Sequence, residues 1–336
     1  MKFDYCVFIG RFSAFHLGHL AILEEALKIG KEVIVAIGSA ASSRNIKNPW
    51  TANERQAMIE SSLKEEDLKR VKFIHLKDYL YMNNMWLSVT QEKIATATNH
   101  SESVALIGFE SDETSFYLSL FPQYKYIEHG TKYKFHATQI RDYYFTHDAV
   151  YKKMVPVGVV KFLEEFKTTE HFKKLHAENE YINNYKESWR GAPFPVIFQT
   201  VDSIVLKSGH ILLVERGHNP GKGLLAMPGG FVNIRETLAT AALRELKEET
   251  GIKVNIPELR KSIVDQRVFD DPNRSSRGRT LSTCFLIDLG TGPLPQIEAG
   301  DDAAKCMWLP LSEFYMLEDK FFEDHFHILR AMVAKR

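Results

Sequence analysis

The chain of 336 residues has only three cysteines, no long apolar run and no net charge. Each absence excludes something. Cys6, Cys284 and Cys306 stand apart without metal-ligand spacing, so neither a disulfide framework nor a thiolate metal site is expected. Cys6 lies in an apolar run and reads as a small buried hydrophobe. No uninterrupted apolar stretch approaches the roughly 18 residues of a membrane span. Lys and Arg number 43, as do Asp and Glu, so no global field points to nucleic acid or to an acidic membrane surface. Internal repeats and low-complexity tracts are missing too. The chain begins directly in an apolar strand, without a signal-peptide pattern, and a soluble cytoplasmic protein is the expectation. A hydrophobic fraction of 44% and a charged fraction of 26% are ordinary for globular protein. The length exceeds one typical core, which predicts two domains.

The pattern of apolar residues divides the chain. Strands are predicted at 5–9, 32–37, 71–76 and 103–107, and helices at 19–29, 54–62, 86–98 and 157–166. That β-α-β rhythm implies a doubly wound parallel sheet over 1–167. Residues 168–192 are polar with scattered aromatics and read as a helical connector ending at Gly191-Ala192-Pro193-Phe194-Pro195. Strands then dominate 193–336, at 201–207, 210–215, 262–269 and 282–288, with a last helix at 321–333. An α/β/α sandwich is the expected architecture there.

One segment carries most of the information. Residues 230–252 fit G-x5-E-x7-R-E-U-x-E-E-x-G-U (U aliphatic) at Gly230, Glu236, Arg244, Glu245, Leu246, Glu248, Glu249, Gly251 and Ile252. The helix predicted at 237–249 places Leu238, Ala242, Leu243 and Leu246 on a core-facing stripe. Glu245, Glu248 and Glu249 fall at i, i+3 and i+4, adjacent on the helix surface. Three clustered carboxylates repel one another and call for a cation; hard oxygen ligands favour Mg²⁺ or Mn²⁺. Gly251 ends the helix. The Pro228-Gly229-Gly230 turn lets backbone approach the same metal or a phosphate. The bland alternative is a solvated acidic helix with an ordinary glycine stop, and the full nine-position pattern weighs against it.

A second pattern lies near the amino terminus. Gly10-Arg11-Phe12 closes the first strand, and His16-Leu17-Gly18-His19 opens the next helix. Ligands of open α/β sheets sit at strand carboxyl ends, and helix amino termini attract phosphate. His16 and His19 would face one anion there, Gly18 would let a nucleotide approach, and Arg11 adds a positive fork.

Residues 230–252 resemble the Nudix hydrolase box. The pattern G-R-F-x-x-F-H-x-G-H resembles the nicotinamide mononucleotide adenylyltransferases of the nucleotidyltransferase superfamily. That resemblance extends to Asn48-Pro49-Trp50-Thr51 with Glu54-Arg55, to Asn83 and Trp86, and to Thr138, Ile140 and Arg141. His136 stands where a serine is usual, and Gly108 and Asp112 match loosely. The order of the two halves resembles bacterial bifunctional enzymes that join adenylyltransferase and ADP-ribose pyrophosphatase activities. The resemblance implies that His16, His19, Arg11 and Arg141 stabilise the triphosphate of ATP, with Gly10, Phe12, Gly18, Thr138 and Ile140 lining it. It implies Asn48, Trp50, Asn83 and Trp86 as the mononucleotide subsite, with the Trp86 indole stacked on nicotinamide. In the second half it implies metal ligation by Gly230, Glu245, Glu248 and Glu249, with Arg244 orienting the carboxylates. Arg274, Arg277 and Arg279 resemble an ADP-ribose-binding loop. Glu298, Asp301 or Asp302 would supply a further acid, and the sequence leaves the choice open.

The implied ligands are ATP, nicotinamide mononucleotide, NAD and ADP-ribose, with no nucleic-acid or membrane partner; homo-oligomerisation stays open. Three other readings remain. The first half could adenylylate another phosphorylated acceptor. It could belong with the class I aminoacyl-tRNA synthetases, although no K-M-S-K-S is found. The second half could act on another nucleotide or sense a ligand without cleaving it.

Overall fold

The computed structural model describes residues 2–108, 120–130, 133 and 136–333. Asp112 lies outside the described residues. The chain divides into two compact units, 1–176 and 177–336.

The first unit runs β1 (Phe3–Gly10), α1 (Leu17–Ile29), β2 (Gly30–Ile37), α2 (Ala52–Glu60), α3 (Glu65–Leu68), β3 (Val71–His75), α4 (Asn83–Ala97), β4 (Val104–Gly108), β5 (Lys125–Glu128), α5 (Ala137–Phe145), α6 (Val157–Phe166) and the start of α7 (Glu170–Ser188). Its sheet has the order β3-β2-β1-β4-β5 and every pairing is parallel. Both faces are buried. Cys6, Phe8, Val33 and Val35 enter one apolar cluster, while Val7, Ile9, Ile34 and Ala36 enter the other. A covered parallel sheet demands such two-sided burial. The chain reverses its winding between β1 and β4, and Gly10 ends β1 at that switch point.

The second unit contains β6 (Phe198–Lys207), β7 (His210–Arg216), β8 (Leu225–Ala226), β9 (Gly229–Phe231), α8 (Leu238–Thr250), α9 (Ile256–Lys261), β10 (Ile263–Phe269), β11 (Thr280–Asp288), β12 (Ala303–Pro310), α10 (Leu311–Phe314) and α11 (His325–Val333). Its sheet is mixed, in the order β10-β11-β6-β7-β12, with β8 on β7 and β9 on β6. Leu243 and Leu246 of α8 pack with Val205, Leu212 and Ile287, which anchors the carboxylate helix to the sheet. Thr237 caps α8 by accepting from Thr240 N, and Gly251 ends it at φ +49°.

The connector expected at 168–192 is helical, and part of it packs into the first unit's core. Residues 170–188 form one continuous helix, and the division between units falls inside it. Phe172 and Leu175 belong to the first unit's core, and Ile182 is fully buried further along. The polar faces of α7 hid these apolar positions, spaced at three and seven residues, from a reading based on composition. No helix among the described residues is long and apolar enough to cross a membrane.

Candidate active sites

The first site forms where β1 ends. His16 is the N-cap of α1, and the two histidines make a reciprocal capping box. His16 Nδ1 accepts from the backbone N–H of His19 at 3.2 Å, and His19 Nδ1 accepts from that of His16 at 3.4 Å. An Nδ1 that accepts leaves the proton of a neutral imidazole on Nε2. The rings are stacked at 3.5 Å. Burial, followed by the charge of His136, lowers the pKa of His16 to about 3, and burial lowers that of His19 as well. Both histidines therefore stand as neutral Nε2–H donors rather than as preformed cations. Gly18 has a more local task than ligand approach: a Cβ there would meet the His16 ring at 3.0 Å.

Guanidiniums supply the fixed positive charge. Arg141, on α5, is 8% exposed; it donates to Ser13 O and, at 3.1 Å, to Thr138 Oγ1. Burial, then repulsion from Arg11, lowers its pKa to about 10. Arg11, by contrast, is exposed, and two guanidiniums that repel each other are suited to a shared polyanion. Ser13 Oγ and Asn48 Oδ1 are buried without a hydrogen-bond partner among the described residues. Orphaned polar atoms cost about 1–3 kcal/mol each, and a polar ligand would satisfy them.

Several motif residues shape the site instead of lining it. Thr51 and Glu54 form the capping box of α2, and Glu54 takes a two-pronged contact from Arg44 at 2.7 Å. Arg55, 1% exposed, donates to the carbonyls of Arg11, Gly38, Ser39, Trp50 and Thr51. It thereby clamps the ends of β1 and β2 to the start of α2. Three expectations are corrected here. Trp50 is 1% exposed and packs on Tyr144 and Phe166, so its indole serves the core and offers no face to a mononucleotide. Ile140 is fully buried in the same core. Phe12 is buried at φ +54°, its ring edge-on to Phe8 and His19, so any phosphate contact from it is through backbone. Trp86 behaves differently: it is half-buried, braced on Phe121 with rings 6.2 Å apart. Asn83 opens α4 and is exposed.

The second site centres on α8. Arg244 gathers the acids: it donates to Glu236 at 2.6 and 3.0 Å, to Glu245 at 2.8 Å, to Glu248 at 2.8 Å and to Phe231 O at 3.2 Å. Glu249 accepts from Gly229 N at 3.0 Å. Burial is the main cause that lifts the Glu249 pKa to about 8 and also raises that of Glu245. A Cβ on Gly230 would lie 2.6 Å from the Glu245 carboxyl group, so a glycine is needed for that carboxylate to settle over β9. The donors are hard oxygens, two of them in desolvated positions, which fits a divalent cation. Among the described residues no three acidic, histidine or cysteine groups converge as a complete metal shell. Arg244 holds two of the acids while the third turns to Gly229, which is how like charges settle when they are neutralised from within the protein. Asp301, in the loop before β12, stands at φ +48°.

The arginine loop divides its labour. Arg274 is buried in a two-pronged pair with Asp324 at 2.9 and 3.0 Å, so it braces α11 and is not available to a ligand. Arg279 donates to Asp270 O. Arg277 lies 5.4 Å over the Phe231 ring. Two charged residues outside the box escaped the motif reading. Asp202, on β6, sits in register with Gly229 and accepts from Ser282 Oγ. Arg216 ends β7.

Comparison with known proteins agrees with this geometry. Residues 7–142 match the Cytidylyltransferase-like family model and residues 197–332 the NUDIX domain model. A nicotinamide/nicotinic acid mononucleotide adenylyltransferase of Acinetobacter baylyi is 39% identical over 52% of this chain and 92% of its own length. An ADP-ribose pyrophosphatase of Methanocaldococcus jannaschii is 40% identical over 37% of this chain and 70% of its own. The crystal structure of a bifunctional NMN adenylyltransferase/ADP ribose pyrophosphatase from Francisella tularensis, complexed with AMP and a manganese ion, superposes with a TM-score of 0.92 at 37% identity over 99% of both chains. The chain belongs to the family of bifunctional NMN adenylyltransferase/ADP-ribose pyrophosphatase proteins.

Proposed function

We propose that this chain makes NAD in its first unit and cleaves ADP-ribose in its second, as a cytoplasmic enzyme of NAD metabolism. In the first reaction the 5′-phosphate of nicotinamide mononucleotide attacks the α-phosphorus of ATP and pyrophosphate leaves. Positioning and charge neutralisation suffice, and no covalent enzyme intermediate is needed. The observation that carries this reading is the stacked His16–His19 pair, with Nε2–H donors at a helix start; the nearby Arg141, which donates to Ser13 O, adds positive charge. Trp86, half-buried on Phe121, is the indole this reading assigns to nicotinamide, with Asn48 and Asn83 as the other residues of the mononucleotide subsite.

In the second reaction water attacks a phosphorus of ADP-ribose, giving AMP and ribose 5-phosphate. Glu245, Glu248, Glu249 and the Gly230 carbonyl would hold Mg²⁺ or Mn²⁺. Bound there, a divalent cation supplies charge neutralisation at the phosphates and a more acidic water. Arg244 positions Glu245 and Glu248, and Gly229 fixes Glu249. A product assay of the purified chain tests both halves: ATP with nicotinamide mononucleotide should yield NAD and pyrophosphate, and ADP-ribose should yield AMP in the presence of Mg²⁺ or Mn²⁺. A chain that leaves nicotinamide mononucleotide untouched but adenylylates another acceptor would overturn the first assignment.

A further inference from the structure

The first unit holds a second pair of facing imidazoles, beyond the carboxyl end of α5. His147 follows Thr146, the C-cap of that helix, and His176 stands on α7 within the same unit. Their Nε2 atoms are 3.2 Å apart, and 29 positions separate them along the chain. His147 is exposed and stands at φ +58°, a left-handed conformation that histidine, asparagine and aspartate adopt more readily than most residues. His176 is half-buried. The buried ring of Phe172 contacts both imidazoles, with centroids 5.9 Å from His147 and 5.8 Å from His176. Phe172 is itself stacked on Phe145 and edge-on to Tyr144. The pair is thus braced on the aromatic core of its unit while His147 stays at the surface.

Two facing Nε2 atoms can share one proton, or they can present two lone pairs to one ion. Nitrogens at the zinc–imidazole distance of about 2.0–2.1 Å stand roughly 2.9 Å apart at a right angle and roughly 3.3–3.4 Å apart at the tetrahedral angle. The 3.2 Å of this pair falls inside that range. Imidazole suits zinc, whereas magnesium asks for oxygen, so the pair differs in kind from the carboxylates of α8. Among the described residues no third histidine, cysteine or acid completes a cluster. The carboxylate of the neighbouring Asp148 accepts from Val150 N at 2.9 Å. The other coordination positions are therefore left to water. We propose that His147 and His176 form a two-point Zn²⁺ site that staples the end of α5 to α7. It lies outside the motifs of both reactions and does not depend on either.

The test is calorimetric titration of the full chain, stripped with EDTA and dialysed, with Zn²⁺ in excess Mg²⁺. Wild type, His147→Asn, His176→Gln and Glu249→Gln are compared. Asparagine tolerates the left-handed backbone at 147, and glutamine is a good helix former at 176, so both variants should melt with wild type when Zn²⁺ is absent. Wild type and Glu249→Gln should share a Zn²⁺ site that each histidine variant weakens at least about tenfold. Zn²⁺ should also raise the melting temperature of wild type more than that of either histidine variant, because an ion that binds only the folded state stabilises it. Should one histidine variant melt early without metal, the other decides by the same two readouts. Zn²⁺ affinity and melting shift equal to wild type in a well-folded histidine variant would overturn the site and leave the pair a simple hydrogen bond. A wild-type chain whose Zn²⁺ binding is lost entirely in Glu249→Gln would overturn it too, since the ion would then belong to the carboxylates.

Discussion

His16 and His19 hold each other: each ring's Nδ1 accepts the other residue's backbone N–H, and the rings stack at 3.5 Å. The arrangement fixes both tautomers, with the proton on Nε2, before any nucleotide arrives. It also makes the pair partly structural, since loss of one ring removes a helix cap. His19→Ala is expected to lower NAD synthesis by roughly 30- to 1,000-fold, the range for losing a transition-state contact of about 2–4 kcal/mol. His16→Asn keeps an N-cap acceptor, so its loss of synthesis should come without a matching loss of melting temperature. Steady-state synthesis and thermal melting on the same preparations make the comparison.

The same two rings give the first unit an acid sensitivity. Their folded pKa values lie below the 6.5 of a free histidine, at about 3 for His16. Between those values the unfolded chain binds protons that the folded chain refuses, so stability falls as pH drops from about 6.5 toward 3 and is fully present above 6.5. Denaturant titrations across that window should show a steeper decline for wild type than for His16→Asn. Equal slopes would mean that His16 is accessible to protons in the folded state.

Trp86 and Trp50 show how far the sequence was legible. Both lie in motif segments, and the resemblance implies both as ligand contacts. The fold buries Trp50 fully against Tyr144 and Phe166 and leaves Trp86 half-buried against Phe121. Residue type and spacing do not record which way an indole points. The parallel sheet was readable from uninterrupted apolar strands, and α8 from its caps and its stripe. β8 and β9, of two and three residues, are too short to carry any period. Asp202 escaped because β6 brings it to the box through sheet pairing with β9, not through sequence neighbourhood.

Trp86→Ala is accordingly expected to weaken nicotinamide mononucleotide by about 1–3 kcal/mol, by analogy with base stacking, and ATP by far less. Trp86→Phe should recover much of the loss. Binding titrations with each nucleotide decide the point; equal weakening of both would mark Trp86 as a packing residue.

Gly229 and Gly230 should respond differently to a single methyl group. In Gly230→Ala the new Cβ meets the far end of the Glu245 side chain, which can swing aside. Hydrolysis should fall sharply while the melting temperature holds. In Gly229→Ala the Cβ meets Val201 O at 2.2 Å, a backbone atom that cannot give way, so this variant should be destabilised as well. Melting curves of the two proteins, read beside their hydrolase rates, test the contrast.

One experiment bears most directly on the claim that two independent sites share this chain. Glu249→Gln and His19→Ala are assayed in parallel for NAD synthesis and for AMP release from ADP-ribose with Mg²⁺ or Mn²⁺. Glu249→Gln should cut AMP release by at least about 100-fold, equivalent to roughly 2.7 kcal/mol of barrier, and leave synthesis at the wild-type rate. His19→Ala should do the reverse. Full AMP release by Glu249→Gln, or loss of both activities in either variant, would contradict the account.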